Sequence, residues 1–90
     1  MKNTHHLKIE PKWFKEVLLK LKKFEMRYND RDFKERDILI LEEYDPQKKQ
    51  LTGNKVAREV SGVFENLPGL KKNYVVLQIK EPLTNPFYKD

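Results

Sequence analysis

The sequence predicts a domain of mixed α and β structure that is mainly β, with one short helix near its start. Apolar residues at helical spacing occur in a single stretch, residues 13–21. Later segments either alternate apolar and polar residues or form short apolar runs, as β-strands do. Helical and strand patterns do not alternate along the chain, which disfavours a parallel doubly wound sheet. We therefore expect a small β-barrel, mixed or antiparallel, with a helix after the first strand.

The first strand and the helix meet at a proline. Leu7 and Ile9 alternate with a lysine before Pro11, which cannot donate to a sheet but suits the first turn of a helix. The pattern then predicts a helix over residues 11–22 with one apolar side. Trp13 begins that side and is expected to lie in the core. The apolar positions are Trp13, Phe14, Val17, Leu18 and Leu21.

The second strand is predicted over residues 24–28, where apolar and polar residues alternate. Its apolar side chains, those of Phe24, Met26 and Tyr28, are expected to point inward and its charged side chains outward. Residues 38–41 form a continuous apolar run, which is typical of a strand buried on both faces.

The second half of the chain contains turn residues and two further strands. Residues 46–54 are rich in turn-forming and charged residues and are predicted to form an exposed loop. Strands are predicted over residues 56–64 and 74–80, and Gly62 is expected to mark a bulge or bend in the first of them.

Composition predicts one domain over residues 1–90. Hydrophobic residues make up 38% and aromatic residues 11% of the chain, which is enough for a single core. The absence of cysteine excludes disulfides, thiolate metal sites and a cysteine nucleophile. No apolar run approaches the roughly 20 residues that span a bilayer, and no apolar signal segment follows Met1, so we expect a cytoplasmic protein without a membrane partner.

The order of residues in three segments resembles a known family. Residues 24–33, with the sequence FEMRYNDRDF, are followed by DILILEEYD at residues 37–45 and by Leu-Thr-Gly at residues 51–53. Together they resemble a domain-of-unknown-function family of bacteria and phages within the ASCH group of the PUA-like superfamily. The likeness extends from His6 to Leu77. It implies a small β-barrel with a helix after the first strand.

The chain departs from that family at two glycine positions. Relatives usually have Gly-x-Lys-Thr where this chain has Lys-Leu-Lys-Lys at residues 20–23, and many have glycine where this chain has Arg36. The resemblance therefore leaves open whether the helix continues past Lys20 and whether a turn of positive φ forms at Arg36.

The resemblance also bears on catalysis. Some small ASCH proteins are amidohydrolases that deacetylate acetylated cytidine, using a lysine and a threonine near the second strand and a later glutamate. Lys22 falls at the lysine position, but Glu25 falls at the threonine position. A hydroxyl nucleophile is thus absent, and that chemistry is not carried over to this chain.

Charge favours a polyanionic partner. The net charge of +5 and a pI near 9.4 suit phosphates, because bound cations release the counterions condensed on nucleic acid. Two groups of side chains are candidates for binding a nucleic acid or a nucleotide, with Tyr28 or Tyr44 as stacking platforms. The first group, around the second strand, is Lys22, Glu25, Arg27, Asn29, Asp30 and Arg31. The second, downstream, is Lys48, Lys49, Lys55 and Arg58, with a further cationic patch at Lys20, Lys22 and Lys23.

These residues also have a structural interpretation. Arginines and carboxylates around the second strand can form an ion-pair network that fixes the following loop, and exposed lysines often serve only solubility. His5 and His6 are adjacent, so they make a poor metal pair, and no metal or cofactor is expected.

The sequence predicts a non-catalytic binding module for RNA or a nucleotide. One alternative is a small hydrolase that acts on a modified nucleoside through Lys22 and Glu25. Another is a bacterial or phage factor whose basic face contacts an acidic protein.

Overall fold

Five strands and one helix make up the domain in the computed structural model, which describes residues 2–87. The mixed sheet curls into a half-barrel with the strand order β1-β3-β4-β5-β2; β1 and β3 are parallel and the other neighbours antiparallel. The predicted class, mainly β with a helix after the first strand, is confirmed. The domain predicted over residues 1–90 includes residue 1 and residues 88–90, which lie outside the described part. The elements are β1 (Thr4–Ile9), α1 (Pro11–Leu18), β2 (Phe24–Tyr28), β3 (Ile38–Asp45), β4 (Gln50–Phe64) and β5 (Tyr74–Lys80).

The interior strand β3, which lies between β1 and β4, is buried on both faces over its apolar run, as that run predicts. Leu39 and Leu41 face the main core, which the concave side of the sheet forms with Phe14 of α1. Ile38 and Ile40 belong to a separate buried cluster. A strand that is apolar on both faces thus takes an interior position in the sheet, with a neighbour on each side.

Helix α1 is shorter than its apolar stripe predicts. It ends at Leu18, because Lys20 adopts a left-handed conformation with φ of 64° and the backbone turns there toward β2. Leu21, predicted to lie on the apolar side, is 74% exposed. Trp13, predicted to lie in the core, is 39% exposed, so the prediction of its burial was wrong.

The faces of β2 are opposite to those predicted. Phe24, Met26 and Tyr28 are all exposed, whereas Glu25 is buried opposite Leu77 of β5. Alternation defines two faces of a strand but does not say which one meets the core. Here the charged row faces inward because cationic partners accompany Glu25.

The hairpin between β3 and β4 is longer than predicted. Its turn occupies only residues 46–49, and β4 begins at Gln50, within the segment predicted to be a loop. The bulge predicted at Gly62 is confirmed, since the pairing of β4 with β5 shifts between Val60 and Gly62. Within residues 2–87, no helix has the length and apolar character needed to cross a bilayer.

A buried carboxylate joins the starts of β1 and β3. The side chain of Asp37 is fully buried, and its Oδ1 accepts the backbone N–H of Asn3 at 3.0 Å. Its Oδ2 accepts the backbone N–H of Lys34 at 3.0 Å and the Nε2–H of His5 at 2.8 Å. These bonds tie the loop before β3 to the first strand.

Lys20 and Arg36 are exposed and have positive φ, of 64° and 76°. Side chains with a Cβ are strained in this region. We expect Lys20→Gly and Arg36→Gly each to raise the free energy of unfolding by about 0.5–1 kcal/mol, measured by urea denaturation. The exposed ion pair of Lys20 with Glu81 contributes little to offset this gain.

A control separates this effect from a general response to glycine. Lys15 is exposed and lies inside α1, so Lys15→Gly should lower the free energy of unfolding by about 1 kcal/mol. Destabilisation of the same size at all three positions would contradict the strain argument.

Candidate functional site

A cleft opens where β1 passes into α1 and faces the edge strand β2. Its volume is about 490 Å³. Both the start of the helix and the end of the first strand contribute to it, so the cleft depends on the short connection through Pro11. Its lining residues are Lys8, Ile9, Glu10, Trp13, Lys22, Phe24, Glu25, Met26 and Arg27.

Glu25 forms the charged floor of the cleft. Its Oε1 accepts a hydrogen bond from Lys22 Nζ at 2.6 Å, and its Oε2 accepts one from Arg27 Nε at 2.9 Å. The Glu25 side chain is 5% exposed and that of Lys22 12%. A buried carboxylate is tolerated when it is paired in this way. The three predicted residues Lys22, Glu25 and Arg27 thus form one cluster.

Arginines bridge the two edges of the half-barrel. Arg27 donates to the carbonyl oxygen of Lys8 at 2.5 Å, and Arg31 donates to that of His6 at 2.7 Å. Both acceptors lie on β1, while both arginines lie on β2 or directly after it. These contacts support the structural interpretation of the cluster, although Arg27 also lines the cleft.

Two exposed aromatic rings stand beside the Lys22 ammonium group. Lys22 Nζ lies 4.9 Å from the centre of the Phe24 ring and 5.7 Å from that of Trp13. Lys12 Nζ lies over Trp13 at 4.7 Å. The cleft therefore combines two aromatic side chains, several cations and a buried carboxylate whose two oxygens are both paired.

Trp13, Phe24 and Lys8 line the cleft but are not among the site residues that the sequence predicts. The sequence contains one indication for Trp13. Trp13 and Phe14 together make the apolar stripe of the helix wide, and a short helix can bury only part of a wide stripe, so one of the two rings is left exposed. The sequence contains no such indication for Lys8 and Phe24, because β1 and β2 come close together only when the sheet curls.

The loop residues predicted for the same cluster lie elsewhere. Asn29 donates to Glu65 at 3.3 Å and accepts the N–H of Phe33 at 3.4 Å, at the far end of β2. Arg31 Nε lies 4.0 Å from Asp30 Oδ1, and neither residue lines the cleft. The predicted group around β2 therefore divides into a cleft cluster and a separate loop cluster.

The downstream cations also separate. Lys48 and Lys49 lie in the hairpin turn, and Lys55 Nζ lies 5.1 Å from the centre of the Phe87 ring. Arg58 is 7% exposed and joins Lys20, Lys22 and Lys23 around a smaller pocket of about 220 Å³.

Arg58 closes the end of the helix. Its guanidinium donates to the carbonyl oxygens of Val17 at 3.0 Å and Ala57 at 2.9 Å. Burial lowers the pKa of Arg58, and the charge of Glu81 acts in the opposite direction. Val17 lies in the last turn of α1, where carbonyl groups lack helical partners and a cation is stabilising.

The two tyrosines predicted as stacking platforms lie on strands that are not neighbours in the sheet, Tyr28 on β2 and Tyr44 on β3. Tyr44 lies at the base of the hairpin, with Lys8 Nζ 4.8 Å from its ring centre. Tyr28 packs edge-on against Tyr74, with 5.7 Å between ring centres.

The two histidines each contact a carboxylate. His5 bonds Asp37, and His6 Nδ1 lies 3.3 Å from Glu42 Oε1. Among residues 2–87 there is no group of three or more histidine, aspartate or glutamate side chains placed to hold a metal ion.

Comparison with protein families gives one match. The model of a family described as Domain of unknown function (DUF3850) matches residues 4–79, from the start of β1 almost to the end of β5. The match includes every residue that lines the cleft. No curated protein matches the chain. Because the family model covers most of its length, the chain belongs to the DUF3850 family of domains of unknown function.

Proposed function

We propose that this domain binds RNA or a nucleotide without catalysis, and that an unpaired base enters the cleft beside Trp13 and Phe24. The observation that carries the proposal is that one cleft is lined both by the buried Glu25 carboxylate and by two exposed aromatic rings. Unstacked bases are recognised by aromatic stacking combined with hydrogen bonds to their edges. A carboxylate accepts such bonds from the amino or imino groups of a base.

The size and charge of the cleft agree with this ligand. Its volume of about 490 Å³ lies within the range of small-molecule sites. Lys8 lines the cleft and Lys12 Nζ lies over the ring of Trp13, so the phosphate of a nucleotide stacked on that ring has cationic neighbours. The resemblance of residues 24–33 to the ASCH group of the PUA-like superfamily favours the same class of ligand. We also propose a cytoplasmic location for the protein.

The single tryptophan provides a direct test. Because Trp13 lines the cleft, a bound base should quench its fluorescence, and we expect saturable quenching by at least one of AMP, CMP, GMP and UMP. Affinity should fall as salt increases. Trp13→Ala, followed by calorimetry, should weaken binding about fivefold or more.

A matched control uses the same helix. Leu18 is 51% exposed and does not line the cleft, so Leu18→Ala should leave nucleotide affinity unchanged. If none of the four nucleotides binds at low salt, and single-stranded RNA does not bind either, the proposal is wrong.

One observation favours a hydrolase as the second candidate. Lys22 Nζ lies 2.6 Å from Glu25 Oε1 and both residues line the cleft, which puts an amine and a carboxylate beside a nucleoside bound there. Incubation with acetylated and other modified nucleosides tests it. Turnover that Lys22→Ala abolishes would assign an enzyme, whereas binding without turnover supports the binding module.

A further inference from the structure

The outer side of the sheet, opposite the main core, carries an apolar surface that runs across three strands. In the register of the sheet, Tyr28 of β2 is paired with Tyr74 of β5. Residues paired directly across strands share a face. Met26 and Phe64 are both paired with Val76, one from each side. We call this surface the outer face; it consists of Phe24, Met26, Tyr28, Phe64, Tyr74 and Val76.

The outer face is open to solvent. Met26 is 55% exposed, Tyr28 52% and Phe64 43%. Antiparallel sheets with one solvated side normally carry polar residues there. A contiguous apolar surface on such a side marks a binding site.

The rings are held in place by their neighbours. Tyr28 and Tyr74 pack with an interplanar angle of 84°, and the Phe64 ring lies against Gly62. A Cβ at position 62 would come within 2.8 Å of the Phe64 ring, so glycine makes room for it. Rings held in this way lose little conformational entropy when a flat partner stacks on them.

Lysines lie at the two ends of the outer face; Lys71 and Lys72 are exposed, whereas Lys22 is paired with Glu25. Lys22 Nζ lies 4.9 Å from the centre of the Phe24 ring, and Lys71 Nζ lies 5.8 Å from that of Tyr74. Lys72 lines a polar pocket with Tyr28 and Tyr74, which also includes the acidic Glu65. Two copies of the chain placed face to face would bring these lysines together. A polyanion instead complements the cationic rim.

We propose that single-stranded RNA lies across the outer face, with its bases on the aromatic rings and its phosphates along the lysines. This inference rests on the proposed function and makes the ligand an oligonucleotide. Phe24 belongs to both the cleft and the outer face, so a single RNA strand can occupy both. Open sheets that carry aromatic residues stack about two or three bases in the same way.

The test compares an RNA of eight unpaired nucleotides with the mononucleotide that binds best. We expect the RNA to bind at least tenfold more tightly. Tyr28→Ala and Phe64→Ala should each weaken RNA binding about fivefold or more while leaving mononucleotide affinity unchanged. Neither residue lines the cleft. Tyr28→Phe keeps the ring and should retain RNA affinity, which distinguishes stacking from loss of folding.

Phe87 supplies a matched control away from the outer face. It is an exposed aromatic residue beside a lysine, like those of the outer face, and Phe87→Ala should not change RNA affinity. Equal affinities for RNA and mononucleotide, or unchanged RNA binding by Tyr28→Ala and Phe64→Ala, would overturn this inference but leave the proposed function standing. A dimer that Tyr28→Ala dissociates, with RNA affinity unaffected, would assign the outer face to a second copy and also overturn it. Binding of neither ligand would remove both proposals.

Discussion

Replacement of Asp37 by asparagine is expected to remove about 3–5 kcal/mol from the free energy of unfolding. A domain of this size is stabilised by only about 5–15 kcal/mol, so the loss is a large part of the total. Both oxygens of the buried carboxylate are occupied by donors, one at Oδ1 and two at Oδ2. The side-chain amide of asparagine keeps one oxygen as an acceptor. Its NH₂ group faces at least one of the N–H donors that Asp37 accepts, and two donors cannot form a hydrogen bond with each other.

The effect should depend on pH in a defined direction. Burial acts to raise the pKa of Asp37, but hydrogen bonds from Asn3, His5 and Lys34 and the charge of His5 outweigh it, and the pKa lies below its usual value of 3.8. The carboxylate therefore contributes its full stabilisation above that usual value. The contribution is lost as the pH falls through the lower pKa of the folded state.

Urea unfolding of the native protein and of Asp37→Asn, from about pH 2 to about pH 7, measures both effects, because this range lies on both sides of the usual pKa of 3.8. The difference in unfolding free energy should be constant near neutral pH and shrink under acid conditions. Asp32 provides a control, because its side chain is 82% exposed and Asp32→Asn should change stability little. A difference of less than 1 kcal/mol at neutral pH would contradict the role assigned to the buried carboxylate.

The sequence predicts strands well where packing leaves no choice. Residues 38–41 are apolar at every position and too few for a helix, so they suit a strand buried on both faces. Pro11 fixes the start of the helix because its ring restricts φ to helical values. The end of the helix is different. Lys20 has no intrinsic preference for the left-handed region, so its turn follows from tertiary contacts such as that between Arg58 and Val17.

The orientation of β2 shows where pattern reasoning fails. Placing apolar residues inward is the usual solution, yet the residues that point inward here include Glu25. The information was present nearby in the chain, because Lys22 and Arg27 flank Glu25 and can neutralise it when all three turn inward. Local spacing therefore identifies this cluster, while the aromatic side chains of the cleft come from distant elements and require the curled sheet.

Glu25→Gln is expected to weaken nucleotide binding about tenfold or more, because a hydrogen bond to a charged group contributes about 1.5–3 kcal/mol. It should also lower the free energy of unfolding, since the ammonium of Lys22 loses the carboxylate charge that balances it. Both effects are measured on the same variant, by nucleotide calorimetry and by urea denaturation. Unchanged affinity would show that the carboxylate does not read the base.

A double variant separates the two effects. Replacing Lys22 by methionine together with Glu25 by leucine removes the buried Lys22–Glu25 pair and substitutes apolar side chains of similar volume, a change that is often neutral or stabilising. Arg27 loses its bond to Glu25 but is 27% exposed to water and keeps its bond to the carbonyl oxygen of Lys8. We expect Lys22→Met/Glu25→Leu to recover the stability that Glu25→Gln loses, while nucleotide affinity stays at least tenfold reduced. Recovery of stability without affinity would mean that the ion pair is kept for recognition. Recovery of both would mean that the pair only fills space beside the aromatic side chains of the cleft.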